Sequence, residues 1–215
     1  MIRVSVLRWV LPFAQGLVRD LRVRWALEEA GLPYEEVLIG PEEQKSASYR
    51  ALQPFGQVPA YEEDGLVLFE SGAIVLHIAE RSDALMPSDP AARARTTTWM
   101  FAALNTVELP ILFLNQIDMQ KVAAEPPQRA AVVAAVKMRL ASVGQRLDGR
   151  EYLEDRFTAA DLLMTSVLRI LRRTDIVAEM PVLEAYRLRC EARPAFQKAL
   201  ADQMAAFARN APPNK

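Results

Sequence analysis

The chain has 215 residues, of which 51% are hydrophobic, and its formal net charge is −1. This length and composition suit one or two domains with buried cores, and the balanced charge argues against a nucleic-acid partner or a membrane surface. Met1 to Leu11 is too short for a signal peptide, and we expect no apolar run long enough to span a membrane. A single cysteine and a single histidine argue against a disulfide or a metal centre and suit the reducing cytoplasm.

Strand and helix patterns alternate in the first part of the chain. The predicted strands are 2–7, 34–39, 58–61 and 66–69, and the predicted helices are 17–30 and 71–81. The strands alternate in polarity, Gly31 is suited to ending the first helix, and Asp64-Gly65 is a hairpin signal between the last two strands. This β-α-β-β-α order predicts a thioredoxin-like domain over residues 1–82.

Strand patterns disappear after a proline-containing linker at 83–92. The helices predicted beyond it are 91–120, 126–146, 158–172, 181–193 and 194–209. We expect the first of them to bend near Pro110, because proline removes a backbone hydrogen bond. Thr158 and Asp161 have the spacing of a capping box at a helix start. The predicted fold class is therefore α/β plus all-α, with an all-helical domain over 93–215.

The most informative motif is Gln57-Val58-Pro59, followed eleven residues after the proline by Glu70-Ser71. Val58 could offer its backbone N–H and C=O to an extended ligand. We predict a cis Val58–Pro59 bond, since X-Pro bonds are the common site of that form. Glu70 and Ser71 stand where a strand passes into a helix, whose first N–H groups favour a carboxylate. The motif predicts a pocket for a small peptide.

Three segments of the chain, in the right order, resemble the cytosolic glutathione S-transferases, of bacterial type with theta- and phi-like motifs. The segments are VRWALEEAGLPYEEVLI, QPFGQVPAYEEDGLVLFESGAIVLHIAE and FTAADLLMTSVLRIL. The resemblance covers most of the chain and implies a cytoplasmic homodimer that uses glutathione as co-substrate and no metal. The implied reaction is detoxifying conjugation of the glutathione thiol to a small hydrophobic electrophile, with peroxide or disulfide reduction as further activities.

The resemblance also implies the residues that contact glutathione. Ser71 would hold the γ-glutamyl carboxylate and Glu70 the ammonium group. Val58 would pair with the cysteinyl backbone, and the Gln57 side chain would add a contact to the γ-glutamyl group. Two of these residues have a simpler alternative, because Ser71 can be a plain helix cap and Glu70 a favourable charge at a helix start.

The glycyl carboxylate of glutathione needs a cation, for which Lys45 is the candidate. The run EQKSASYRALQPFGQVPAY resembles the corresponding phi-class run without a gap. In that class a His-Lys pair contacts the glycyl end. Lys45 matches the lysine, and Gln44 replaces the histidine as a second candidate. The alternative for Lys45 is a solvated loop lysine.

The usual thiol activator of the family is absent. Family members place a Tyr, Ser or Cys at the start of the first helix, but no Ser, Thr, Tyr or Cys occurs between Arg8 and Leu32. The catalytic group is therefore unknown from the sequence. The candidate substitutes are the backbone N–H groups of 10–15, Gln15 as a hydrogen-bond donor, and Arg19 as a cation. Gln15 could instead make a capping contact, and Arg19 could lie on the surface.

Two interpretations of function stay open at this point. The missing activator favours a non-catalytic glutathione-binding or protein-interaction module of the same fold. The intact glutathione motif favours an enzyme. For the enzyme, Trp9 and Phe13 could line the pocket of the electrophile, or they could fill the core.

Overall fold

One mixed sheet of four strands occupies the first part of the chain. The strands are β1 (Ile2–Leu7), β2 (Tyr34–Ile39), β3 (Ala60–Glu63) and β4 (Leu66–Phe69). In the computed structural model, which describes residues 1–121 and 123–212, their order is β2-β1-β3-β4. β1 runs parallel to β2 and antiparallel to β3, and β3 runs antiparallel to β4. The predicted thioredoxin-like arrangement is confirmed.

Four helices accompany this sheet. They are α1 (Asp20–Ala30), α2 (Pro41–Lys45), α3 (Ala47–Leu52) and α4 (Ser71–Ala79). The sequence did not predict the two short helices α2 and α3. The predicted start of the first helix at Leu17 is also wrong, because Gly16 has a φ of 75° and the backbone there forms separate turns, such as Leu17 N–H to Ala14 C=O at 3.0 Å. The loop before α1 is therefore longer than predicted.

The central strand β1 is covered on both faces. Successive side chains of a strand point to opposite faces, yet Val4, Ser5 and Val6 are all buried. Burial of Ser5 requires that its hydroxyl find a polar partner inside the protein.

Two compact units divide the chain, one formed by 1–85 with the segment from 193 onward, the other by 86–192. The last helix, α10 (Pro194–Arg209), packs on α1, with the rings of Trp25 and Phe196 edge-on at 4.8 Å between centroids. Arg193 forms two hydrogen bonds to Glu29, at 2.6 and 2.7 Å. The predicted domain 93–215 grouped this helix with the other helices, whereas its contacts are with the unit of the sheet.

The second unit is helical. Its helices are α5 (Pro90–Phe101), α6 (Glu108–Asp118), α7 (Pro126–Arg146), α8 (Ala159–Leu168) and α9 (Pro181–Glu191). A π-helical segment, Ala102–Val107, joins α5 to α6, and a 3₁₀ turn, Arg169–Leu171, follows α8. The sequence predicted a bend near Pro110, and the structure has a π-helical segment just before that proline. Proline crowds the carbonyl four residues back, and a wider turn makes room for the ring.

The capping box at the start of α8 is confirmed. Thr158 Oγ1 accepts the N–H of Ala160 at 3.3 Å, and the Asp161 carboxylate accepts the N–H of Thr158 at 2.9 Å. The other carboxylate oxygen of Asp161 accepts the N–H of Leu153 and the hydroxyl of Tyr186, both at 2.9 Å. Asp161 has no exposed surface. It therefore ties three segments of the second unit together.

The stretch Pro90–Asp118 is long and apolar enough to cross a membrane by length and composition alone. This corrects the expectation that no apolar run would reach that length. The finding is weak evidence for a membrane span, because a core helix of a soluble protein can have the same composition. Buried side chains of the stretch, including Met100, Ile111 and Leu114, belong to helices that pack against α7 and α8.

Candidate active site

The corner between β4 and α4 holds the two residues predicted to bind a γ-glutamyl group. Glu70 follows β4 directly and is exposed, with φ 69° and ψ 112°. A positive φ strains a residue with a Cβ by about 1–3 kcal/mol, and such strain concentrates at functional sites. Ser71 begins α4 and is 4% exposed. The corner thus presents a carboxylate, a hydroxyl and the first N–H groups of a helix, which have no intrahelical partners.

A buried arginine from α1 reaches this corner. Arg22 is 5% exposed, and its Nη1 donates to Ser71 Oγ at 3.3 Å. The guanidinium places a permanent positive charge beside the hydroxyl, in a setting where water screens it little. Arg22 was not among the predicted site residues. The signal that could have found it is a charged residue between the apolar Leu21 and Val23 of α1, a helix that packs against α4.

The loop before β3 carries Val58, the residue predicted to pair with an extended ligand. The Val58–Pro59 peptide bond is cis, which confirms that prediction. The side-chain oxygen of Gln53 accepts the N–H groups of Phe55 and Gln57, at 2.7 and 3.1 Å, and so shapes the loop. Among the residues that the structure describes, the backbone of Val58 makes no hydrogen bond. Val58 is buried, at 9% exposure, so its N–H and C=O are unpaired backbone groups that call for a polar partner.

Lys45 and Gln44 lie at the end of α2, and their side chains have different partners. The amide of Gln44 donates to the carbonyl of Gly56 at 3.0 Å, so it supports the loop before β3. Lys45 donates to Glu42 at 3.0 Å, and both side chains are largely exposed, at 69% and 86%. Exposed ion pairs contribute little free energy. The ammonium of Lys45 can therefore exchange Glu42 for another carboxylate at small cost.

The candidates for thiol activation lie in the loop before α1. Gln15 Nε2 donates to the carbonyl of Val10 at 3.1 Å and so closes the loop on itself. It is not the capping contact considered as an alternative, because α1 begins at Asp20 and has no side-chain cap at its start. Arg19 directly precedes α1 and is half-buried. Neither residue is a simple surface side chain.

The start of α1 is less open to an anion than predicted. The N–H groups of Leu21 and Arg22 bond back to the carbonyls of Val18 and Arg19, at 3.0 and 3.2 Å. The first residue of the helix, Asp20, is a buried acid. Its carboxylate accepts from Arg24 at 2.7 Å and from Gln203 at 3.0 Å, while burial raises its pKa. Within the candidate stretch 10–15, the N–H groups of Ala14 and Gln15 are also bonded, to the carbonyls of Leu11 and Pro12 at 2.9 and 3.3 Å.

The aromatic candidates for an electrophile pocket, Trp9 and Phe13, are both half-buried. Neither is part of the buried core, so neither has the alternative role of filling it. Metal coordination has no support in the described part of the chain. No group of three or more His, Cys, Asp or Glu side chains there could hold an ion.

The profile of the glutathione S-transferase N-terminal domain matches residues 14–80. Glutathione S-transferase 3 of Zea mays is 33% identical over 209 residues, which cover 89% of this chain and 91% of the relative. A glutathione S-transferase of Hyoscyamus muticus is 30% identical over 84% of this chain and 92% of its own length. The chain belongs to the glutathione S-transferase family. The transferase activity expected from the sequence is thus supported at the level of the family.

Solved structures of glutathione S-transferases agree with this assignment. The theta-class enzyme of the citrus canker pathogen Xanthomonas axonopodis pv. citri, solved with glutathione bound, matches with a TM-score of 0.77 and 28% identity. The match covers 93% of this chain and 96% of that one. The likeness therefore extends through both units.

Proposed function

We propose that this glutathione S-transferase binds glutathione on residues 1–82 and conjugates its thiol to a small hydrophobic electrophile. The observation that carries the proposal is that two sites flank the pair formed by Ala60 of β3 and Phe69 of β4 in the sheet unit. One is the Ser71 hydroxyl beside the buried Arg22, and the other is the backbone of Val58, which makes no hydrogen bond within the described residues. A zwitterionic tripeptide with an extended backbone needs both kinds of site.

The γ-glutamyl end of glutathione would bind at the corner before α4. Its carboxylate would accept hydrogen bonds from Ser71 and from the first N–H groups of α4, with Arg22 supplying positive charge. The exposed carboxylate of Glu70 would accept from the ammonium group, and the exposed Gln57 side chain would add a contact. Charge-assisted bonds of this kind are about twice as strong as neutral ones.

The remaining parts of glutathione would bind along the loop before β3. The cysteinyl unit would pair with the N–H and C=O of Val58, as one strand pairs with another. The glycyl carboxylate would exchange with Glu42 as the partner of Lys45. Gln44 would act indirectly, because its amide already holds the carbonyl of Gly56.

Thiol activation is expected from the loop before α1 and its cation, not from a side-chain hydroxyl. We predict that the pKa of bound glutathione falls below about 7.5, from about 8.5 for a free thiol. The ultraviolet absorbance of the thiolate, titrated in the complex, measures this pKa. Loss of the shift in Arg19→Ala alone would assign activation to the cation. Gln15→Ala should instead loosen the loop, because it removes the bond to Val10.

An unshifted thiol pKa would contradict the activation and favour the second candidate, a non-catalytic glutathione-binding module. The absence of a hydroxyl or thiol between Arg8 and Leu32 is the observation behind that candidate. Retention on immobilised glutathione, followed by a transfer assay with several electrophiles, separates the two. Retention with turnover supports the enzyme, and retention without turnover supports the module. Trp9→Ala and Phe13→Ala should then change the binding of the electrophile and leave the binding of glutathione unchanged.

The exposed apolar side chains around β4 support a homodimer. β4 is the edge strand of the sheet, and Leu66, Val67 and Phe69 are 38–41% exposed. The ring of Phe55, 63% exposed, meets that of Phe69 edge-on at 6.0 Å between centroids. An exposed apolar edge strand invites association, and a second copy of the chain is the proposed partner.

We predict that Phe55→Arg converts the homodimer into a monomer, because a charge would be desolvated in the interface. Sedimentation velocity measures the change in mass. Met138→Arg is the matched control, since Met138 is 61% exposed on α7. A wild-type protein that sediments as a monomer would overturn the dimer. A Phe55→Arg variant that remains dimeric would show that the dimer interface lies elsewhere on the protein.

The cytoplasmic location expected from the sequence stays a proposal. Its support is the single cysteine, Cys190, which is buried in the second unit and is in no disulfide. Such a thiol needs no oxidising compartment for folding.

A further inference from the structure

A relay of two buried hydroxyl groups lies behind the Val58–Pro59 loop. Ser5, on β1, and Tyr49, on α3, are each 5% exposed, and their side-chain oxygens are 2.7 Å apart. Ser5 Oγ accepts the N–H of Ala60 at 2.6 Å, and Tyr49 Oη donates to the carbonyl of Gln57 at 2.6 Å. The relay therefore joins the backbone just before Val58 to the backbone just after Pro59.

The direction of each bond in the relay follows from its two ends. The N–H of Ala60 can only donate, and the carbonyl of Gln57 can only accept. Tyr49 gives its proton to that carbonyl, so Ser5 must donate to Tyr49. The three bonds thus form one chain in which each hydroxyl both donates and accepts, an arrangement in which neighbouring bonds strengthen one another. Burial also raises the pKa of Tyr49, which keeps its hydroxyl protonated.

The relay takes the place of one backbone residue pair between strands β1 and β3. β1 and β3 pair at Arg3 with Glu62 and at Val4 with Tyr61, so the next pair in this register would be Ser5 with Ala60. The Ser5 side chain takes the Ala60 N–H instead, and the pairing between the two strands ends there. The chain before Ala60 is then held by hydroxyl groups, not by a neighbouring strand.

We infer that Ser5 and Tyr49 are positioning residues for the glutathione site, which set the backbone of Val58 for the cysteinyl unit of glutathione. The inference rests on the proposed function. Neither side chain reaches the ligand site itself, since both hydroxyls are buried and engaged with backbone and with each other. Their effect passes through the loop that carries Val58.

Calorimetric titration with glutathione tests the inference. We expect Tyr49→Phe to raise the Kd for glutathione about 3- to 10-fold, the equivalent of one hydrogen bond. In the transfer assay the KM for glutathione should rise while the KM for the electrophile stays unchanged. Tyr186→Phe is the matched control, because it also removes one buried hydroxyl bond, in the other unit. It should lower the melting temperature and leave the Kd unchanged.

A double-mutant cycle separates positioning from general weakening of the fold. Ser5→Ala and Tyr49→Phe break the same relay. The Kd of the double variant for glutathione should therefore be about equal to the larger of the two single-variant values. Ser71→Ala acts on the γ-glutamyl carboxylate and not on the cysteinyl unit, so its effect on the Kd should multiply with that of Tyr49→Phe. Independent effects of Ser5→Ala and Tyr49→Phe would contradict the relay.

The outcomes distinguish this inference from the proposed function. A wild-type protein that does not bind glutathione overturns both. A wild-type protein that binds glutathione, with an unaltered Kd in Tyr49→Phe, overturns the positioning role alone. If the Kd for glutathione also rises in Tyr186→Phe, the weaker binding in both variants comes from lower stability. That result would also overturn the positioning role.

Discussion

Replacement of Asp161 by alanine is expected to destabilise the protein by about 3 kcal/mol or more. The carboxylate accepts hydrogen bonds from the N–H groups of Leu153 and Thr158 and from the hydroxyls of Thr158 and Tyr186. All of these donors are buried, and a buried donor left without a partner costs about 1–3 kcal/mol. Large destabilisation of this kind comes from breaking a buried network. Thermal and urea unfolding measure the loss.

The melting temperature should fall by about 6–12 °C, since 1 kcal/mol corresponds to about 2–4 °C in a protein of this size. Asp155→Ala is the control, because the Asp155 side chain is 91% exposed and its ion pair with Arg150 is 3.5 Å long. Glutathione affinity should stay unchanged in any Asp161→Ala protein that remains folded. An unaltered melting temperature would show that the capping box does not support the second unit.

Ser71→Ala and Glu70→Ala are each expected to weaken glutathione binding by about 1.5–3 kcal/mol, the contribution of one hydrogen bond to a charged group. This corresponds to about a 10- to 150-fold rise in Kd. For Ser71 the reason is its place beside the buried Arg22 at the start of α4. Alanine is the proper replacement for Glu70, because glycine would also relieve the strain of the positive φ. Calorimetry gives both values.

Ser166→Ala provides the matched control for Ser71→Ala. Ser166 Oγ donates to the carbonyl of Leu162 at 2.8 Å within α8, so its loss tests a serine hydroxyl away from the site. An analogue of glutathione without the amino group separates the two site residues. Glu70→Ala should not weaken its binding further, whereas Ser71→Ala should. Equal affinities of both variants and the wild-type protein would remove the proposed γ-glutamyl site.

The features predicted correctly from the sequence are those that depend on neighbouring residues. The cis Val58–Pro59 bond requires a proline, and the capping box requires Thr158 and Asp161 at their spacing. Three strands were predicted at their observed bounds from alternation and turn residues, whereas β3 begins at Ala60 and not at Val58 as predicted. In each case the interaction acts over a few residues, so a local pattern is enough to indicate it.

The errors occurred where tertiary contacts override local preference. Apolar spacing extended the first helix back to Leu17, but Gly16 and the turns before Asp20 delay its start. The last helix looked like its helical neighbours, yet Trp25 and Phe196 bring it against α1. A helix pattern specifies a buried face and does not specify which element covers that face.

The sequence by itself determined the family, the two kinds of secondary structure and the corner Glu70-Ser71, because each depends on a contiguous motif. Only the tertiary structure placed Arg22 against Ser71, across 49 residues, and Ser5 against Tyr49, across 44 residues. Hydrogen bonds between distant side chains leave no periodic signal in the chain. They form because burial removes water as a partner, and the fold alone decides which polar groups are buried together.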